Sequence, residues 1–460
     1  VPVFLSIIVG KMVSMSDNPP FSPPSQWRLL RQRRFAPFFV AQLAGAFNDN
    51  LYKQILVLLI SFHANEYGQW SPGVMSSLAG GIFILPFVLF SALAGQLSDR
   101  FDKSRVILTV KMAEVVIMLM AATGLWLHSV PLLLLVLFFM GCHSAFFSPA
   151  KYSLLPRVLA VDELVGGNGL LEMGTFVSII LGGLLAGVMV GHSSDVVFLG
   201  SGLLGVAGLG LLAACRVPRV APVVPEFKID WNPFRTTRIM LLRVRQQPAL
   251  FVVLLAISWF WFFGAVFLAQ LPVLVKTVWN GTETTVSLVL ALFALGVGLG
   301  SASCERLGGR HLDPGLVLWG GIGMAVFALD FSGASTRSVP PGTYLDWVHC
   351  LRSPQAWHAL ADVGLLGISG GIFSVPLYAY VQTVADPGEQ SRVVAANNVL
   401  NAIFMVLSAI YGVALSAMGA GPVTLLVVCA AAHGVVMLIL CRRQPMFYQA
   451  ALARFRGGRS

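Results

Sequence analysis

Charge is what this sequence is short of. Only 11% of its 460 residues are charged while 57% are hydrophobic, and a soluble globular domain carries about a quarter of charged residues. That shortage excludes an ordinary soluble enzyme or binding domain. Cysteine is scarce as well: Cys142, Cys215, Cys304, Cys429 and Cys441 lie in or at the ends of apolar stretches, and only Cys350 falls in a loop between them. Neither a disulfide framework nor a metal-ligand spacing results, so no metal and no cofactor is expected. The opening VPVFLSIIVGK lacks the basic stretch of a secretory leader. With Val1 leading and Met12 and Met15 close behind, translation is expected to start at one of those methionines.

What the chain does have is long apolar runs. Segments of membrane-spanning length read at 36–62, 74–97, 105–128, 131–149, 164–190, 196–216, 248–275, 284–304, 314–332, 359–384, 393–419 and 422–441. These predict an all-α membrane protein with twelve transmembrane helices in two six-helix bundles. Residues 1–34, Pro-rich around Asn18 to Pro24, are expected to be a disordered tail; 35–216 form the first bundle and 248–441 the second. Between them, 217–247 is a polar, basic loop broken by Pro218, Pro222, Pro225 and Pro233, and 442–460 is a basic tail.

The formal charge of +10 is distributed unevenly. With both termini placed inside, the 30 basic residues fall on the inner side except Lys276, Arg337 and Arg352 outside and Lys53 and Lys111 within helices. Such a bias fixes topology, with both termini cytoplasmic, and argues against nucleic acid as the partner. The basic tails are expected to touch anionic lipid head groups of the surrounding membrane.

The first span, APFFVAQLAGAFNDNLYKQILVLLI, carries Asn48, Asp49, Asn50 and Lys53 about halfway along. At about 1.5 Å per residue, Asp49 lies roughly 20 Å from the helix start, near the middle of a hydrocarbon core about 30 Å thick. A charge at that depth costs several kcal/mol unless it faces protein, water or ligand. Asp49 and Lys53, one turn apart on one face, either neutralise each other or hold the opposite charges of a polar pocket; the flanking asparagines favour the pocket.

Other polar residues inside spans leave two readings open. Glu172, with Asn168 one turn below it, is either a second cavity carboxylate or a buried packing residue. Lys111 and Glu114 read as a structural pair, and His143 as an interior histidine rather than a proton carrier. Lys151 and Tyr152 are placed at the inner end of the fourth helix, where a lysine ordinarily snorkels to the surface. The glycine rows Gly174/Ser178/Gly182, Gly183/Gly187/Gly191 and Gly364/Gly367/Gly370/Gly371 permit close helix packing or provide rocking surfaces.

The loop after the second span reads Gly95-Gln-Leu-Ser-Asp99-Arg100-Phe-Asp-Lys103-Ser-Arg105. Both this signature and the six-plus-six layout resemble the major facilitator superfamily, which implies a binding site near the midplane between the two halves. Gly95 permits close approach, and Asp99, Arg100, Lys103 and Arg105 are expected to latch the cytoplasmic ends. A degraded echo, Cys304-Glu305-Arg306-Leu-Gly308-Gly309-Arg310, follows the eighth span, as internal duplication would leave it.

Within that superfamily, AQLAGAFNDNLYK (41–53), FFSPAKYSLLP (146–156), GGNGLLEMGTFVSIILGG (166–183), GGIFSVPLYAYVQ (370–382) and AANNVLNA (395–402) resemble the bacterial lysophospholipid transporters, including those fused to acyltransferase and acyl-carrier-protein synthetase domains. The resemblance implies movement of a lysophosphatidylethanolamine-like lipid from the outer to the inner leaflet of a bacterial inner membrane for reacylation, with a separate acyltransferase as partner. A zwitterionic head group needs an acid for its ammonium and donors for its phosphate. Asp49 suits the first; Lys53, Asn168, Asn397 and Asn401 suit the second, and the resemblance draws in Lys151 and Tyr152.

A drug or small-solute exporter of the same superfamily is the alternative, but the Gly-Pro pair of many exporters is missing from the fifth span, which contains no proline. An acyltransferase is the other. Its His-x4-Asp spacing does not occur; His358 and Asp362 come one residue short at the start of a membrane helix, and only about nineteen residues follow Cys441. Catalysis in this chain is therefore not expected.

Overall fold

The computed structural model describes residues 25–62, 72–192, 195–222, 224–309, 311–336 and 346–457. Twelve long helices follow one another: α1 Ala36–Phe62, α2 Pro72–Arg100, α3 Lys103–Trp126, α4 Val130–Val158, α5 Leu164–His192, α6 Val196–Ala214, α7 Pro248–Thr277, α8 Glu283–Leu307, α9 Gly315–Ser335, α10 Pro354–Val384, α11 Gln390–Ala417 and α12 Pro422–Arg443. Eleven, α2 to α12, are long and apolar enough to cross a membrane. At 27 residues α1 has the length too, and it is the Asn-Asp-Asn run and Lys53 that lower its apolar character.

Local chemistry sets the helix ends. Asp102 caps α3 through Ser104 N at 2.9 Å, and Asp195 caps α6 through Val197 N at 3.0 Å. Pro248, Pro354 and Pro422 open α7, α10 and α12, where a missing N–H costs nothing. Burial alone would raise the Asp102 carboxyl, but hydrogen bonds from Ser104 and from the Val220 and Arg105 backbone hold it below its ordinary value.

The packing repeats. In the first half α1 lies on α5 and α6, α2 on α4, and α3 on α4 and α6; in the second half α7 lies on α11 and α12, α8 on α10, and α9 on α10 and α12. Adding six to each partner of the first set gives the second, as duplication predicts. The two halves meet symmetrically too, α5 against α8 and α2 against α11. Small residues make these seams. A side chain at Gly95 would meet Ala395 Cβ at 2.8 Å, and one at Gly169 would strike the Ser301 carbonyl.

Three expectations change. The fourth helix runs on to Val158 rather than stopping at 149, taking in Pro149 and Pro156; a membrane helix tolerates internal proline where its surroundings re-satisfy the backbone groups it frees. Lys151 and Tyr152 are thereby moved from the helix end into its interior. The tail through residue 34 is ordered in its described part: Gln26–Arg31 forms a 3-10 turn whose Gln26 donates from N to Glu305 Oε2 (2.9 Å) and from Nε2 to Ala302 O (2.6 Å). The basic tail contains a helix, Met446–Gly457, that buries Phe447 and Ala451 and packs on α9. Residues 1–24, Arg310 and Arg337 lie outside the described residues.

The glycine rows divide. Gly174 and Gly182 face α1, and Ser178 Oγ donates to Leu43 O at 3.1 Å, whereas Gly183, Gly187 and Gly191 have nothing within 4 Å of a built side chain.

Candidate functional site

The loops after α2, α4, α6, α8 and α10, the start of α1 and the end of α12 lie at one end of the bundle, the basic side. There the halves are closed by three layers of contact. The outermost is a latch: Asp99, fully buried at the end of α2, accepts from Ser391 N at 3.2 Å and from Arg392 Nε at 2.9 Å at the start of α11. A carboxylate there receives both a charge-assisted bond and a free amide of a helix N-terminus. Lys103 Nζ reaches Ser98 O at 3.0 Å and Ser391 Oγ at 3.4 Å. Arg392 also lies over the Phe227 ring at 4.6 Å, and Arg243 of the linker helix Pro233–Arg245 pairs with Glu389 at 2.5 Å. A cavity of about 150 Å³ remains between this linker and the ends of α2 and α11.

Of the residues expected to form the latch, Gly95, Asp99 and Lys103 meet α11. Arg100 and Arg105 make no hydrogen bond or ion pair with it among the described residues: Arg100 lies over its neighbour Phe101 at 5.4 Å, and Arg105 is exposed. The cation facing Asp99 is Arg392. In the echo motif Glu305 stands at the equivalent place in the second half and binds the docked Gln26 instead.

The second layer is an amide pair. Asn168 Nδ2 donates to Gln382 Oε1 at 2.7 Å and Gln382 Nε2 to Asn168 Oδ1 at 3.0 Å, joining α5 to α10 with both side chains buried. Asn168 is thus spent on closing the halves.

The third layer is aromatic. Tyr152 of α4 stacks on Tyr378 of α10 with ring centres 4.9 Å apart and planes 2° from parallel. Tyr152 donates to Glu172 Oε1 at 2.5 Å, and Trp261 Nε1 of α7 donates to the Tyr378 hydroxyl at 2.9 Å. Lys151 Nζ sits 4.3 Å from the Tyr152 ring centre. Asn401 lies 2.8 Å from Ser258 Oγ, while Asn397 Oδ1 and Asn398 Nδ2 are buried without a hydrogen-bond partner among the described residues.

Asp49 lies about 8 Å farther from the basic side than Glu172, by helix rise. Ser144 Oγ of α4 donates to its Oδ2 at 2.6 Å, and its Oδ1 is buried with no hydrogen-bond donor among the described residues. Lys53, half-buried one turn on, forms no ion pair within 4.0 Å among them. The two charges are therefore not joined in a direct ion pair. The neighbouring asparagines point elsewhere: Asn50 Nδ2 donates to Ala46 O at 2.7 Å, and Asn48 Nδ2 to Glu114 Oε1 at 3.0 Å.

Asn48 belongs to a sealed cluster inside the first half. Lys111 Nζ lies 2.6 Å and His143 Nε2 3.2 Å from Glu114 Oε2, and all four residues are buried. The Lys111–Glu114 pair expected from the i, i+3 spacing is formed. The sequence missed Ser144, Trp261, Tyr378, Gln382, Ser391 and Arg392. Tyr378 and Gln382 lie within the segment 370–382 and Asn398 within 395–402, both of which carry the resemblance, but the pattern there singles out none of the three.

A sequence model described as the Major Facilitator Superfamily matches residues 38–409. The lysophospholipid transporter LplT of Photorhabdus laumondii is 27% identical over 366 residues, covering 77% of this chain and 81% of that one. LplT of Escherichia coli strain SE11 is 27% identical over 352 residues, covering 75% and 78%. Among solved structures, the human organic anion transporter MFSD10 superposes with a TM-score of 0.70 at 14% identity over 89% of this chain and 99% of that one. FucP in its outward conformation gives 0.67 at 12% identity over 90% and 100%.

Proposed function

The chain belongs to the major facilitator superfamily, and from that premise we propose that it is a secondary transporter carrying lysophospholipids, of the lysophosphatidylethanolamine kind, from the outer to the inner leaflet of a bacterial inner membrane by alternating access. The basic side is then cytoplasmic, as the positive-inside rule requires. The observation that carries the reading is the half-satisfied carboxylate of Asp49. A buried carboxylate oxygen without a donor is costly at mid-membrane depth, and the ammonium of a lipid head group supplies three donors there. Lys53 faces the lipid phosphate, and a single acyl chain stays in the apolar flank or the bilayer. The lysophospholipid transporters among the relatives support the substrate class.

The contacts joining the halves lie at the cytoplasmic ends, so this is the state that receives lipid from outside. Glu172, Tyr152, Lys151, Asn397 and Asn401 form the floor of the site, and Asp99 with Arg392 its outer latch. Release inward requires the stack, the amide pair and the latch to part together. A separate acyltransferase consumes the delivered lysolipid.

Competition measures the substrate class. With labelled lysophosphatidylethanolamine taken up by vesicles containing the purified protein, unlabelled lysolipid should compete far better than the diacyl lipid or free ethanolamine. Ethanolamine lacks a chain worth about 0.8 kcal/mol per buried CH₂, and a second chain crowds the site. Competition by unrelated lipophilic cations with none by the lysolipid would make this a drug exporter instead.

A further inference from the structure

At the end of the second half opposite the basic side, three side chains converge that the transport reading does not use. Asp330 lies near the end of α9; His358 and Asp362 lie one turn apart near the start of α10, which packs on α9. His358 Nε2 is 3.0 Å from Asp330 Oδ2 and 3.6 Å from Asp362 Oδ2. One ligand atom from each lies within 4.8 Å of the other two. We propose that Asp330, His358 and Asp362 bind a divalent first-row transition-metal ion of the zinc class.

An ion pair alone leaves this cluster incomplete. A ring nitrogen carries one proton and can donate it to one carboxylate, which the 3.0 Å contact with Asp330 takes up. Asp362 is 3% exposed, and its Oδ2, turned into the cluster, is buried without a hydrogen-bond partner among the described residues. A buried carboxylate oxygen in that condition is costly, and a cation bound by all three groups removes the cost.

The geometry suits such an ion. Zinc bound to nitrogen and carboxylate oxygen at about 2.0–2.2 Å in a tetrahedron has ligand edges of about 3.4 Å, and the separations of 3.0 and 3.6 Å bracket that value. One imidazole and two carboxylates suit zinc or manganese better than magnesium or calcium, which prefer all-oxygen shells. The side chains of Asp330 and His358 are 51% and 61% exposed, leaving an entry path and room for water as a further ligand. No sequence spacing announces the site, because Asp330 precedes His358 by 28 positions.

All three residues belong to one half of the molecule, so the ion would tie α9 to α10 without bridging the moving seam, and the inference is independent of the transported substrate. The test is equilibrium dialysis of the metal-stripped, detergent-purified full chain against zinc chloride, read by elemental analysis. One zinc per chain should bind saturably. Affinity should fall about tenfold or more in Asp362→Asn and in His358→Ala, whose exposed side chain makes it a safe second variant should the first misfold. His349→Ala, at a separate exposed Asp–His pair, should leave binding unchanged. Absence of saturable binding, equal binding by the His358 variant, or equal competition by magnesium would each overturn the proposal.

Discussion

Arg392 Nε lies 2.9 Å from Asp99 Oδ2, and 293 positions of chain separate the two. The pair spans the seam between the halves at its basic end, and Asp99 is fully buried while the Arg392 side chain is 17% exposed. A contact of this kind exists only while that end is shut. It therefore biases the conformational equilibrium by its full differential strength.

Asp99→Ala leaves Arg392 without its carboxylate and frees the Ser391 amide. Removing one partner of a buried ion pair costs about 3–5 kcal/mol, here charged to the closed state. Cysteine labelling of the cavity from the cytoplasmic side should rise at least several-fold. Arg100→Ala, although in the signature motif, should leave labelling unchanged because Arg100 does not reach α11. Equal effects of the two variants would remove Asp99–Arg392 as the latch.

The Asn168–Gln382 pair yields a double-mutant cycle. Either Asn168→Leu or Gln382→Leu strands a buried amide, at about 1–3 kcal/mol each. The double replacement strands nothing and should recover much of the loss in thermal stability. Strict additivity of the two losses would show that the amides do not act as a pair.

Glu114 and Asp49 are acids in adjacent surroundings with different predicted roles. Glu114→Gln leaves the buried Lys111 uncompensated and should lower the melting temperature of the purified protein by several degrees, while the relative competition by lysolipid and diacyl lipid stays as in wild type. A Glu114→Gln protein of wild-type stability and altered lipid preference would move that cluster from scaffold to site.

Much of the architecture is legible in the sequence because apolar length is a local property. Eleven of the twelve spans read from hydropathy and the first from its length, and the error at α4 arose where Pro149 and Lys151 mimic a helix end. The duplication left its trace in Asp99 and Glu305, which occupy matching places. Contacts across the seam are not local. Nothing near Asp99 names Arg392, and nothing near Tyr152 names Tyr378; the partners are fixed by how two bundles dock. The Asn48-Asp49-Asn50 run illustrates the same limit. Its depth in the membrane is readable, yet the rotation of α1 sends Asn48 to Glu114, leaves Asp49 half-satisfied beside Ser144, and turns Asn50 back onto its own helix.

The central claim is that Asp49 receives the cationic end of a lysolipid. Its most direct test is the movement of labelled lysophosphatidylethanolamine between leaflets of vesicles containing purified wild-type protein or Asp49→Asn, each checked for equal incorporation and folding. Wild type should move the lipid well above protein-free vesicles. Asp49→Asn, which keeps shape and removes charge, should fall to near that background. Wild-type rates in the variant would contradict the account.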